Sequence, residues 1–251
     1  MAIYRGGEKY VPGTYARQKP NAAEMAHQLI SRLERERLGE REEEAPKEMP
    51  PTICFSRKIG VGALDIADIL AKKIGYHVFD REIVEHIANE GKLSKKTVTI
   101  FDERYPGRLN EFLYLAFGEK AFIKSDYARQ LFSALFSMAY LSPAIFVGRG
   151  SHLVLPRERT LAVWFIGSKA YRATRMAAAM NITEREAKER LDQIDKEQRH
   201  FFNMLFGIKE VSPDQFDLVV NCDYIQDPES AADMVQAAFQ IKFGERAIPA
   251  E

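Results

Sequence analysis

Gly60 and Gly62 follow an apolar run and precede a stretch with helical apolar spacing, a grouping that could hold a phosphate. Residues 52–75 read as a buried strand, a glycine turn and a helix. The glycines let the backbone come close to an anion, and the N–H groups opening the helix add the positive end of its dipole. No Gly-Lys-Ser/Thr follows. The usual phosphate loop neutralises the outer phosphates with that lysine and holds magnesium through the Ser/Thr. Arg57 or Lys58 is then the nearby cation, or the chemistry has been lost.

Three more arginines stand where an anion could be met. Arg149 lies between Gly148 and Gly150 at the end of a third predicted strand, on the carboxyl edge where open α/β sheets place ligands. Its planar fork of donors suits phosphate or a base-edge carbonyl, and an ion pair with a helix carboxylate such as Asp80 is the alternative. Arg172 and Arg175, at i and i+3, share one face of a helix after the fourth strand. Without further context they also describe a solvated basic face.

The elements that must position these residues follow from alternation. From residue 52 onward, short apolar runs exchange with helical stretches, the signature of a parallel sheet covered by helices. Five strands are predicted, at 52–56, 76–79, 144–147, 161–166 and 217–221. Between them, 64–74 carries apolar residues at helical spacing, and Asp80 can cap a helix over 82–89. Thr183-Glu184-Arg185-Glu186 is a capping box opening a long helix to about Phe206, and Asp227-Pro228 reads as an N-cap with proline at the first helical position. Residues 89–141 form a helical insertion rich in Phe, Leu and Tyr. Phe112, Tyr114, Phe117, Phe122, Tyr127, Phe132 and Phe136 within it could line a base pocket, but an apolar packing face is the first account. Trp164 is expected in the core.

Composition narrows the function classes. The chain has 251 residues, 46% of them hydrophobic, enough for one sizeable core with an appendage. Lys+Arg and Asp+Glu both number 36, so there is no chain-wide basic footprint for DNA or RNA. No run is apolar enough to span a bilayer and the N-terminus lacks a signal-peptide core, so a cytoplasmic protein without membrane contact is expected. Cys54 and Cys222 fall in predicted buried strands as small hydrophobes, and two cysteines with five scattered histidines do not make a metal centre. Residues 1–50 form an N-terminal extension and linker, helix-like and charge-laced over 21–44. A solvated extension is the plainer reading of it, and a helix for a protein partner the sharper one. The main domain is expected over 51–245, with a tail at 246–251.

These motifs together resemble the cytidylate-kinase-like proteins, a branch of the nucleoside monophosphate kinases. The resemblance rests on the order of Gly75-Tyr76-His77-Val78-Phe79-Asp80, Val147-Gly148-Arg149-Gly150, Tyr171-Arg172-Ala173-Thr174-Arg175 and Ile194-Asp195-Lys196-Glu197, and it covers roughly 52–243. It implies a P-loop kinase-like three-layer fold, with a five-stranded parallel sheet, a helical insertion and a lid, that moves the ATP γ-phosphoryl to CMP or dCMP with Mg2+. Site by site, Ser56, Arg57, Gly60 and Gly62 match the branch's Ser-Arg-x-x-Gly-x-Gly phosphate loop, with Val61 and Ala63 replacing its usual Ser and Gly. Asp80 and Arg81 take the monophosphate-binding segment, where Arg81 replaces a serine and His86 an arginine. Arg149 and Arg199 complete the acceptor side. Gly150 replaces an aspartate there, and Gln198 holds the place of the family arginine that Arg199 follows by one. Arg172 and Arg175 match the lid arginines and Asp195 the aspartate of the next helix, the set that would carry catalysis. The string Asp102-Glu103-Arg104 is also family-like.

Three readings follow: an active kinase of CMP, dCMP or a related nucleotide; a nucleotide-binding regulatory relative with impaired catalysis; and an interaction protein that keeps the fold with an empty site. The magnesium ligand is left open among Ser56, Asp80, another carboxylate, and water with phosphates.

Overall fold

The structure, a computed structural model, describes Ser31, residues 49–81, Val84 and residues 126–244. Its elements in chain order are β1 (Thr52–Arg57), α1 (Ala63–Ile74), β2 (His77–Asp80), α2 (Asp126–Leu141), β3 (Ala144–Val147), α3 (Ser151–Val154), β4 (Thr160–Ile166), α4 (Lys169–Met180), α5 (Glu184–Phe206), β5 (Leu218–Asn221) and α6 (Pro228–Phe243). The five strands form one sheet in the order β2-β3-β1-β4-β5, and β1 pairs in parallel with both β3 and β4. All five expected strands are present. The first runs one residue further than expected, because Arg57 still pairs with Phe165 of β4.

Alternation along the strands builds the core. Ile53 and Phe55 of β1, Ile145 and Val147 of β3, and Leu161, Val163 and Phe165 of β4 point to one face. There they meet Ile66, Leu70 and Ile74 of α1 and Val235 and Phe239 of α6. Phe55 and Phe165 pack edge to face at 4.7 Å, and each such buried ring contributes about 1.5–3 kcal/mol by leaving water. Trp164, one residue out of phase, is only half-buried and stacks on Phe216 at 5.3 Å. Cys54 and Cys222 are buried and unpaired, and burial pushes their thiols up to about 12 and about 11, so both stay protonated.

The predicted stop and start signals hold. Thr183 and Glu186 form the capping box that opens α5, and Asp227 caps α6 with Pro228 at its start. Left-handed Gly75 ends α1, and left-handed Gly207 ends α5.

The described residues fall into two compact units. The sheet unit comprises Pro50–Phe79 and residues 142–244; the other contains Asp80, Arg81, Val84 and α2. Within α2, Phe132 and Phe136 are buried and Phe136 lies 4.7 Å from Tyr140, which fits the packing account of the aromatic insertion. Phe112, Tyr114, Phe117, Phe122, His86, Asp102, Glu103, Arg104 and the tail lie outside the described residues, as does the N-terminal extension apart from Ser31 and 49–50. Among the described residues no helix is long and apolar enough to cross a membrane.

At the amino end of the sheet, Asp217 ties several elements together. One carboxylate oxygen accepts from Lys242 Nζ and Arg157 Nη2, both at 2.9 Å, and the other from the Ala162 N–H at 2.7 Å. Burial by itself would raise the Asp217 pKa. The Ala162 and Lys242 hydrogen bonds and the charges of Arg157 and Lys242 outweigh it and hold the group below its ordinary value. A depressed carboxylate adds stability that is present above its unfolded pKa and lost as pH falls through the folded one. The Asp217→Asn protein should therefore melt about 2–4 °C lower at pH 7, corresponding to about 1 kcal/mol for a partly exposed group. That gap should close below about pH 4 in a melting series; a gap independent of pH would refute the assignment.

Candidate functional site

The loop after β1 turns on Gly60 and Gly62, with φ of 94° and 86°, a region that side chains beyond glycine rarely adopt. Gly62 caps α1, and its carbonyl accepts from the N–H groups of Asp65 and Ile66 at 3.0 and 3.3 Å. The N–H groups at the very start of a helix have no intrahelical acceptor, so this end can receive an anion.

Two arginines of α4 close over this loop. Arg172 is buried, and a Cβ on Gly60 would stand 3.1 Å from its Cβ and from its carbonyl oxygen. Its Nη1 and Nη2 donate to the two oxygens of Asp195 at 3.0 and 2.9 Å, and Nη1 also reaches the Ile59 carbonyl at 3.3 Å. Arg172 Nε has no acceptor among the described residues. Arg175 lies directly over Gly62: a Cβ there would fall 2.6 Å from Nη2. The same Nη2 donates to Asp65 at 3.3 Å, and the Tyr171 ring centre is 5.9 Å from the guanidinium carbon. Helix α5 adds a further tie, because Gln198 Nε2 donates to the Arg57 carbonyl at 3.0 Å.

Gly60, Gly62, Arg172, Arg175 and Asp195 are thus brought together, as the sequence pattern expects. Within this group the two arginines have different partners. Arg172 spends both terminal nitrogens on Asp195 and is a strut between α4, α5 and the loop, whereas Arg175 is the arginine presented over the helix start.

The other expected residues are placed as follows. Ser56 is buried at the register position opposite Trp164, and the Arg57 guanidinium packs against Gly148. Arg149 is left-handed (φ 56°) between two left-handed glycines, and its guanidinium carbon lies 4.2 Å from the centre of the Phe201 ring on α5. Such a backbone is costly for a residue with a Cβ, by about 1–2 kcal/mol. A Cβ on Gly150 would strike Phe206 Cε2 at 2.5 Å, so a side chain would not fit here without moving that ring. Arg199 is exposed on α5 while its neighbour Gln198 faces the loop. Asp80 is buried at the end of β2 and Arg81 half-buried after it, both in the second unit.

Sequence reasoning missed Asp65, whose only signal was an acidic residue in the first turn after the glycines. It also missed an open cleft of about 460 Å³ lined by Ile166, Gly167, Ser168, Asn221, Asp223 and Tyr224 at the carboxyl ends of β4 and β5. A Cβ on Gly167 would lie 3.3 Å from Val61, so the cleft borders the glycine loop after β1. Asp223 fixes its wall by accepting from the Ser168 N–H and hydroxyl, both at 2.6 Å, and these bonds hold its carboxyl below the ordinary range. Tyr224 is 84% exposed and offers a ring surface to a flat ligand.

No group of three His, Cys, Asp or Glu side chains gathers as a metal site among the described residues. A magnesium ion carried on phosphates needs only one or two carboxylates, with water for the remainder. Asp65, partly exposed beside Gly62, is a donor of that kind, so the residues present fit the ion.

Comparison with known proteins agrees with the geometry. The sequence matches the cytidylate kinase-like family over residues 52–224, more than half of the chain, and the protein belongs to that family. An uncharacterised protein from Eubacterium ventriosum shares the fold, with a TM-score of 0.59 at 18% identity over 77% of this chain and 99% of its own. Shikimate kinase from Bacteroides thetaiotaomicron aligns over 75% of this chain and 98% of its own, at 15% identity and a TM-score of 0.40. No curated protein matches the sequence.

Two substitutions separate strut from surface pair. The Arg172–Asp195 side chains are 6% and 14% exposed, the Arg175–Asp65 side chains 39% each. Asp195→Ala should cost about 3–5 kcal/mol by stranding a buried guanidinium, lowering Tm by about 10 °C. Asp65→Ala should stay within about 1 kcal/mol. Equal melting shifts for the two would contradict the strut. Gly62→Ala should displace Arg175 and strain the turn by about 1–2 kcal/mol, seen as a lower Tm together with weaker binding of nucleotide.

Proposed function

We propose that this protein is an ATP-dependent nucleoside monophosphate kinase that takes CMP, dCMP or a related nucleotide as acceptor. The observation that carries this reading is the Arg175 guanidinium lying over Gly62 at the open start of α1, in a loop braced by Arg172 and Asp195. A transferring phosphoryl group needs little covalent chemistry from the protein and much positive charge aimed at its oxygens. Arg175 supplies that charge from the lid side, and the α1 amino end supplies it from the loop side. The cleft beside Val61 has the size for the nucleoside of the donor, with Tyr224 as a stacking surface. Arg149 serves the acceptor at the carboxyl end of β3. Magnesium, when bound with ATP, would neutralise the outer phosphates, and Asp65 in the first turn of α1 is the residue that would hold it.

The second reading, a nucleotide-binding relative without turnover, draws on one observation: Ala63 stands directly after the last glycine of the loop, where the usual lysine would be. The proposed test is phosphoryl transfer from magnesium ATP to CMP, dCMP, UMP, AMP and GMP. Turnover is expected with a cytidine nucleotide, and Arg175→Ala should lower kcat by about 10²-fold or more while its melting curve stays near that of the wild type. Nucleotide binding without transfer to any acceptor would overturn the kinase reading in favour of the second; absence of binding would overturn both.

A further inference from the structure

We propose that Asp65 makes this site select magnesium-bound nucleotide over metal-free nucleotide, by holding Arg175 across the loop and releasing it only in exchange for the metal. The inference rests on the kinase reading of the loop and goes beyond it, because it concerns which form of the nucleotide the loop admits.

Asp65 sits in the first turn of α1, close to the positive end of the helix dipole. Its carboxylate therefore occupies, from within the chain, the electrostatic position that makes the helix start attractive to an incoming phosphate. Arg175 offsets that charge at 3.3 Å while lying over Gly62, so one guanidinium serves both the carboxylate and the phosphate position. Arg172 cannot take over, since Asp195 engages both of its terminal nitrogens.

Metal-free polyphosphate would draw Arg175 from Asp65 and leave a carboxylate beside several phosphate charges, an arrangement that both like-charge repulsion and partial burial oppose. With magnesium on the polyphosphate, Asp65 would have a hard cation as partner in place of the guanidinium. Arg175 is then free to face phosphate alone. Magnesium lessens the negative charge that the carboxylate meets, whereas metal-free polyphosphate brings its full charge against Asp65.

An acidic residue in a first turn also stabilises a helix with no ligand at all, and the test separates that role from this one. The full chain, as wild type, Asp65→Asn and Asp65→Glu, is titrated with ATP by calorimetry at one ionic strength, once in excess MgCl2 and once in excess EDTA, with melting curves alongside. The wild type should bind at least tenfold more weakly in EDTA. Asp65→Asn should bind metal-free ATP more tightly than the wild type does, shrinking the EDTA-to-magnesium ratio of Kd at least fivefold, and Asp65→Glu should keep the ratio. A ratio in Asp65→Asn within twofold of the wild type, or equal weakening in both conditions, would overturn the inference while leaving the kinase reading intact. Failure of the wild type to bind ATP in either condition would overturn both.

Discussion

The bidentate pair of Arg172 with Asp195 is the interaction on which the site depends. It is nearly closed to water, it joins α4 to α5, and through the Ile59 carbonyl it fixes the loop that the glycines shape. A buried pair of this kind owes its value less to net stability than to the penalty for separating its members. It therefore specifies one arrangement of loop and helices. Gln198 strengthens the same connection from α5, so the loop backbone is held at Arg57 by α5 and at Ile59 by Arg172 of α4.

Around that fixed frame the charges divide into a committed set and an exchangeable set. Arg172 and Asp195 saturate one another, while Arg175 and Asp65 meet at longer range and with more water. Partial exposure is what permits a partner change: an ion pair already solvated gives up little when one member turns to a ligand. The cleft at the ends of β4 and β5 is held in a similar fixed manner by Asp223 on Ser168, so the loop and the cleft it borders are both preorganised by bonds within the sheet unit.

The departures from the cytidylate-kinase-like pattern have structural counterparts. Gly150 leaves room for Phe206, and that ring with Phe201 lines the side of α5 facing Arg149 and Gly150. Gln198, neutral where the family has an arginine, bonds the loop backbone. At both positions the observed contacts are ones the protein makes with itself. No physical account emerges for Val61 beyond its contact with Gly167.

By itself the sequence determined the strands, the caps, the glycine turn and the neighbourhood of the arginines, because each is encoded within a few residues. Alternation marks a strand, Thr183 with Glu186 marks a helix start, and two glycines around one residue mark a left-handed turn. It also placed Arg172, Arg175 and Asp195 at one site through the resemblance. Only the tertiary structure decided which charge meets which. Asp65 and Arg175 are separated by 110 residues, and Arg172 finds Asp195 across the turn between two helices. Helical spacing alone could not show that Arg172 turns inward to a carboxylate and Arg175 outward over Gly62. The packing of α4 against α5 and the loop sets those directions, and that packing is a property of the folded core rather than of any local run of residues.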